Sequence, residues 1–200
     1  MILLVLVALL VGCSGGSKQS ADQSSGSVPV KTVTIPSRTA TYDVPSSSME
    51  PTLHCAQPAI GCEAVVSDGA VVREPVLDPR RGDIVLFRTP HLAAQACGSE
   101  GKFIKRVIGL PGDLWEERSG FVYINGKRLN VPYVKPDRRD HDSYGLMDIP
   151  PRHTYTRIPK GYYLVMGDNR SSSCDSRRWG LVPYRNLIGK VVQILRPATG

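Results

Sequence analysis

Phe103-Ile104-Lys105-Arg106-Val107-Ile108-Gly109-Leu110-Pro111-Gly112-Asp113 is an apolar run that carries one lysine and one arginine and closes on a Pro-Gly turn. A short apolar run bounded by turn residues reads as a β-strand. Side chains alternate across a strand, so Lys105 shares a face with Phe103 and Val107, which places an amine among apolar neighbours. The commoner arrangement for a strand lysine is an edge position facing water. The same strand-and-turn pattern recurs outward from this stretch. Before it, the turn Pro79-Arg80-Arg81-Gly82-Asp83 feeds Ile84-Val85-Leu86-Phe87, a run suited to a buried strand, with Asp83 as a turn-capping carboxylate. Residues 30–44 alternate apolar with Thr, Lys and Arg, and residues 64–72 read as a strand and turn. After it, residues 121–131 contain Asn125-Gly126, which suits the positive φ angles of a type I′ hairpin turn. Residues 91–101 and 135–157 read as loops, the second rich in Pro, Asp, Arg and His with little to hold it rigid. With 16 prolines, 19 glycines and no long helical period, the expected fold is all-β, of short strands and turns with little helix.

Two hundred residues, 41% of them hydrophobic, suffice for one domain with a core, or one domain and a small appendage. The net charge of +7 suits an anionic membrane surface or a nucleic acid. The basic residues form no single arm, and no helix-turn-helix or zinc-finger spacing occurs, so a membrane surface is the expected partner and nucleic acid is not. His54, His91, His141 and His153 show no paired spacing and there is no Cys-x-x-Cys, so neither a metal site nor a cofactor is expected.

Two further stretches carry candidate chemistry. In Val44-Pro45-Ser46-Ser47-Ser48-Met49-Glu50-Pro51-Thr52-Leu53 the prolines stiffen the backbone, so the Ser46 and Ser48 hydroxyls are presented from a fixed, non-helical segment. Val165-Met166-Gly167-Asp168-Asn169-Arg170, continued by Ser171-Ser172-Ser173-Cys174-Asp175-Ser176-Arg177-Arg178-Trp179-Gly180, taken alone is a polar loop with paired charges. Together with Arg81-Gly82-Asp83-Ile84-Val85-Leu86-Phe87 and the Lys105 strand, these stretches resemble the bacterial type I signal peptidases, the serine-lysine proteases that cut signal peptides from exported proteins. The resemblance runs over roughly residues 42–196 in the family's motif order.

The resemblance implies a mostly antiparallel, barrel-like catalytic core over residues 30–200, with a minimal second β subdomain at residues 114–160. It makes Ser48 the nucleophile and Lys105 the general base, with the Ser46 hydroxyl and the Ser48 backbone N–H as oxyanion donors. It makes Ser173 a hydrogen-bond partner that orients Lys105, pairs Asp168 with Arg106, and pairs Asp175 with Arg177. Val44, Met49, Leu53, Phe103 and Ile104 match positions that line shallow pockets for small residues before the cut. The implied substrates are the signal peptides of exported preproteins, cut after an Ala-x-Ala site by a monomer at the extracytoplasmic face of the cell membrane. A free lysine with a pKa near 10.4 is neutral only about one time in 2,500 at pH 7, a handicap of about 4.6 kcal/mol that burial must remove. His54 lies near the serine and is an alternative base, but Lys105 already occupies the family's position.

Met1 to Gly12 is apolar, yet as a helix it rises only about 18 Å against the roughly 30 Å of a hydrocarbon core. Residues 1–12 therefore read as a signal-peptide hydrophobic region or short anchor, without the usual preceding Lys or Arg. Leu10-Val11-Gly12-Cys13 resembles a bacterial lipobox, in which Cys13 is acylated. Residues 13–29 are a flexible polar linker with about 20 Å of reach. If lipid consumes Cys13, four of the five cysteines remain. Cys55 and Cys62 bracket a short loop whose bridge contributes about 2.5 kcal/mol on the loop-entropy account, leaving Cys97 and Cys174 to pair. Three connectivities are open, as is a free Cys174 thiol. The rival functions are a specialised processing peptidase of the same chemistry and a catalytically silent peptide-binding surface lipoprotein.

Overall fold

In the computed structural model, which describes residues 35–152 and 155–198, the alternating stretches form eleven strands. They are β1 (Arg38–Asp43), β2 (Gly69–Glu74), β3 (Ile84–Arg88), β4 (Lys102–Gly109), β5 (Trp115–Arg118), β6 (Phe121–Ile124), β7 (Lys127–Arg128), β8 (Tyr144–Gly145), β9 (Tyr162–Met166), β10 (Val182–Pro183) and β11 (Leu187–Leu195). Two short α-helices, α1 (Leu92–Cys97) and α2 (Ser176–Trp179), and several single 3-10 turns complete the described chain. The strands make a seven-stranded sheet in the order β1-β2-β11-β3-β4-β9-β10 and a four-stranded sheet in the order β7-β6-β5-β8, with antiparallel pairing throughout. The fold is mostly antiparallel β, as the turn-rich, non-helical sequence leads one to expect. Residues 1–12, the 13–29 linker and Cys13 lie outside the described residues.

β4 lies between β3 and β9 rather than at an edge, with Val85 opposite Lys105 and Ile84 opposite Arg106. Its successive residues enter different apolar clusters because side chains alternate across a strand. Val107 packs with Val85, Phe87, Val165 and Trp179. Ile108, on the other face, packs with Trp115, Ile149, Ile158 and Leu164 beneath the four-stranded sheet. A third cluster joins Val44, Met49 and Leu53 to Ala70 and Ile84.

The hairpin between β6 and β7 turns at Asn125 (φ 52°) and Gly126 (φ 77°), the left-handed pair that a type I′ turn requires. Other expectations are corrected. Residues 91–101 contain α1, which ends on the left-handed Gly98. Strand β2 begins at Gly69, while Ala64 only makes a single bridge to Ala56. Residues 135–157 are not a slack loop: β8 lies here, and Leu146, Ile149 and Tyr155 are buried in the core beneath the smaller sheet. Their signal is hidden because three apolar anchors are spread among prolines and charges. Asp83 does cap its turn, accepting from the Arg80 N–H at 2.9 Å.

Candidate active site

Ser46 is extended, with φ −141° and ψ 154°, and then Ser47–Met49 wind into one turn of 3-10 helix. Ser48 therefore stands on a helical turn, contrary to the non-helical reading of this segment. The turn forms because Met49 and Leu53 are both drawn into the third cluster, which curls the chain between them. The Thr52 and Leu53 N–H groups donate to Met49 O at 2.9 and 3.0 Å. The first N–H groups of such a turn have no partner within it, and that of Ser48 is among them.

Two buried polar side chains hold the turn from outside. Glu50, wholly buried, accepts from the Cys55 N–H (3.0 Å) and the Glu63 N–H (3.2 Å) and pairs with His54 Nδ1 at 2.6 Å. Asn169 donates through Nδ2 to Ser47 O (3.0 Å) and through its backbone N–H to Ser48 O (3.2 Å). His54 thus turns to Glu50 and not to Ser48. Glu50, His54 and Glu63 offer ligand atoms within 4.8 Å of one another. Their oxygens already serve backbone amides, Arg138 at 2.7 Å and Lys135 at 3.9 Å.

Lys105 Nζ reaches Ser48 Oγ at 2.6 Å and also donates to Ile104 O at 3.2 Å. The residue is 4% exposed, and its amine lies 5.4 Å from the centre of the Phe103 ring, the neighbour that strand alternation selects. Burial lowers the Lys105 pKa to about 8, against the opposing pull of the Asp175 and Asp168 carboxylates. A neutral amine at that distance can accept the Ser48 proton. Ser46 Oγ lies 3.2 Å from Ser48 Oγ.

Behind the dyad, Arg106 and Asp168 form a two-pronged pair, Nε to Oδ1 at 2.9 Å and Nη2 to Oδ2 at 2.6 Å. Burial alone would lower the Arg106 pKa, but Asp168 outweighs it and the net shift is upward. Thr52 Oγ1 donates to Asp168 Oδ2 at 2.5 Å, so this pair also touches the serine turn. Arg177 grips Asp175 in the same two-pronged way, with both bonds at 2.9 Å. Burial pushes the Asp175 carboxyl up, yet Arg177 and the Gly167 N–H hold it below the ordinary range.

Two expectations differ from what the structure places here. The Ser173 hydroxyl is sealed from solvent and makes no hydrogen bond of ordinary geometry with Lys105 or another group, although it lies close enough to Asp175 to favour that carboxylate's charge. Leu53 is fully buried behind the site and does not line it. Val44, Met49, Phe103 and Ile104 do line a groove of about 550 Å³ that opens on Ser48 and Lys105. The cysteines are joined as Cys55–Cys62 and Cys97–Cys174, which ties α1 to the loop beside the dyad and leaves Cys174 without a free thiol. Glu50 and Asn169 are parts of the site whose contacts no local pattern announces.

The family described as signal peptidase, peptidase S26, matches residues 28–195. A probable signal peptidase I-2 of Synechocystis sp. is 38% identical over 152 residues, 74% of this chain and 58% of its own. Signal peptidase I of Leptolyngbya laminosa is 37% identical over 74% of this chain and 64% of its own, and that of Bacillus caldolyticus is 33% identical over 75% of each. The chain therefore spans less than two thirds of the length of the first two relatives. The crystal structure of a signal peptidase I from Enterococcus faecalis V583 aligns at 29% identity with a TM-score of 0.48, covering 59% of this chain and 100% of that one. Because the match takes in the serine turn, both central strands and the loop behind them, the chain belongs to the signal peptidase family, peptidase S26.

Proposed function

We propose that the chain is a serine endopeptidase that removes signal peptides from exported preproteins by cutting after small residues. The observation that carries this reading is the 2.6 Å contact between Ser48 Oγ and the buried Lys105 Nζ. In the proposed reaction the neutral amine takes the hydroxyl proton while Ser48 Oγ attacks the scissile carbonyl. The developing oxyanion is met by the Ser46 hydroxyl and the Ser48 N–H, donors set in place before the substrate arrives. The ammonium then gives its proton to the departing amine, leaving an acyl-enzyme. Water, deprotonated by the same lysine, releases the mature protein's signal peptide from Ser48. The Arg106–Asp168 and Arg177–Asp175 pairs act as supports, not as catalysts.

An extended peptide would bind in the groove by main-chain hydrogen bonds, as an added strand. Val44, Met49, Phe103 and Ile104 would leave room for alanine before the cut and exclude larger side chains. The strands from β5 to β8, within residues 114–160, would form an accessory unit to the catalytic part of a domain spanning residues 30–200. The full chain in detergent, given a preprotein with an Ala-x-Ala site, should produce a single new N-terminus after the second Ala. N-terminal sequencing that finds no cut, or a cut elsewhere, would defeat the reading.

We also infer that the protein works at the extracytoplasmic membrane surface, held there by lipid on Cys13 through the 13–29 linker. Among the described residues no helix is long and apolar enough to cross a membrane. The Leu10-Val11-Gly12-Cys13 stretch motivates the inference. One acyl chain binds only marginally, so two signals are needed, and the +7 net charge supplies attraction to anionic lipid. Mass spectrometry of membrane-bound protein should find an acylated Cys13 as the N-terminus, and Cys13→Ala should move the protein to the soluble fraction. Membrane-bound protein with an unmodified Cys13 would overturn this.

A further inference from the structure

Glu117 stands on β5 with its side chain wholly out of solvent, and the chemistry above makes no use of it. It reaches across to the loop that follows β9. Oε1 lies 3.8 Å from Arg170 Nη1, and Oε2 lies 3.5 Å from Arg177 Nη1. Neither oxygen accepts a hydrogen bond of ordinary geometry, so charge attraction alone joins them. Asp140, from the segment between β7 and β8, pairs with Arg177, and Asp175 completes the cluster, with Tyr133 near Arg170. Three carboxylates (Glu117, Asp140, Asp175) thus face two guanidiniums, a sum of 2 − 3 = −1 when all are ionised.

Those guanidiniums hold the back wall of the dyad. Arg170 Nε donates to Gly167 O at 3.0 Å, and Arg177 Nη2 donates to Arg170 O at 2.9 Å. Arg177 also grips Asp175, whose Oδ2 accepts the Gly167 N–H at 3.0 Å. Gly167 is therefore held at its amide and at its carbonyl. It is also where the loop meets the serine turn, since a Cβ added there would lie 2.3 Å from Ser48 O.

We propose that Glu117 is a positioning residue for the reaction: its carboxylate, supplied by the smaller sheet, holds Arg170 and Arg177, and through them Gly167 and Asp175, against the turn that carries Ser48. The proposal rests on the protease reading above. No local motif contains Glu117, and its action is carried entirely by the contacts between β5 and the segment that follows β9.

The titration of Glu117 gives a way to tell positioning from plain structural support. Burial, helped by Asp140 and Asp175, raises its pKa to about 7 against the lowering pull of Arg177 and Arg170. Because the guanidiniums favour the anion, the anion by reciprocity favours the guanidiniums in place, so the attraction of Glu117 for Arg170 and Arg177 is stronger above pH 7 than below it. Global stability runs the opposite way. A folded pKa raised above the ordinary 4.5 contributes stability that is present below that value and lost as pH rises through about 7. Loop order and fold stability should therefore move in opposite directions on account of this one group.

The test uses the full chain and Glu117→Gln, which keeps the shape and removes the charge. At pH 8 the variant should lose about tenfold in kcat on the preprotein with KM changed less than about twofold, the size typical of coupling through a packed network. Amide protection factors over residues 167–177 should fall by about tenfold while those of β3 and β4 are kept. Around pH 7 the wild-type rate should fall more steeply than the variant's, because protonating Glu117 there removes up to about tenfold beyond the loss of neutral Lys105, and the variant should show the single slope of Lys105. Should the variant not fold, wild-type protection factors decide: higher over residues 167–177 at pH 8 than at pH 6 supports the proposal. Unchanged loop protection and kcat in the folded variant, or wild-type loop protection that declines with rising pH alongside global stability, overturns it. A wild type that cuts no preprotein at any pH defeats the protease reading instead, and with it any part for Glu117 in the reaction, while the protection factors still report whether the loop is held.

Discussion

Lys105→Arg should abolish cleavage, with kcat/KM down by about 10,000-fold or more, and Ser48→Ala should be equally inactive. The arginine keeps the positive charge and much of the length, so it preserves whatever a salt bridge or a surface charge would contribute. What it cannot do is become neutral near pH 7, and a base must be neutral to take a proton from the Ser48 hydroxyl 2.6 Å away. The double variant should be no worse than either single one, because nucleophile and base act as a unit. The pH dependence has a definite sign. Burial lowers the Lys105 pKa to about 8, so the reactive amine is the minority form at pH 7 and the majority above pH 8. The wild-type rate at pH 7 to 8 should rise with pH and then level off. An ordinary lysine would keep gaining to beyond pH 10. Substantial turnover by a folded Lys105→Arg chain would remove Lys105 from the mechanism and favour a peptide-binding role for the groove.

Gly167→Ala should cost catalysis more than its single methyl suggests. The added Cβ would lie 2.3 Å from Ser48 O and 2.3 Å from Ser173 Oγ, closer than carbon atoms approach such groups in real structures. A side chain could turn aside, but Ser48 O belongs to the backbone that carries the nucleophile. Asn169 holds that same carbonyl at 3.2 Å, so the turn cannot yield without losing a second contact. A shift of about 1 Å at a reacting group costs about 100-fold in rate, and overpacking of this kind costs about 1–3 kcal/mol of stability. The expected result is kcat lower by about 100-fold in a chain that still unfolds cooperatively in urea, with the midpoint moved down. If Gly167→Ala keeps wild-type kcat, the loop after β9 does not set the position of Ser48.

The parts that were readable from sequence are those decided within a few residues. The burial of Lys105 between Phe103 and Val107 follows from the two-residue repeat of a strand, and the hairpin at Asn125 and Gly126 follows from their tolerance of positive φ. Even Glu117 left a trace, since period two puts it on the same face as Trp115, which is fully buried. Read as Trp115-Glu116-Glu117-Arg118, however, the stretch looks like a charged strand facing water, because a lone carboxylate is too costly to bury without partners. Those partners, Arg170 and Arg177, come from more than fifty residues further along the chain.

The same distance explains the other differences. Asn169 is an ordinary loop amide until the fold brings it to the carbonyls of Ser47 and Ser48, and the helical turn at Ser48 is imposed by burying Met49 and Leu53 against β2 and β3. The choice among three cysteine pairings was likewise made by which backbones the sheets bring within reach. By itself the sequence determined the strand alternation, the turn chemistry and the order of the motifs, because each depends on the φ and ψ preferences and side-chain directions of neighbouring residues. Only the tertiary structure decided which buried charges meet, which carbonyls hold the serine turn and how far the lysine pKa falls. Desolvation and Coulomb attraction depend on separation in space, and in this chain the groups that matter are dozens of residues apart in sequence and a few ångströms apart in the fold.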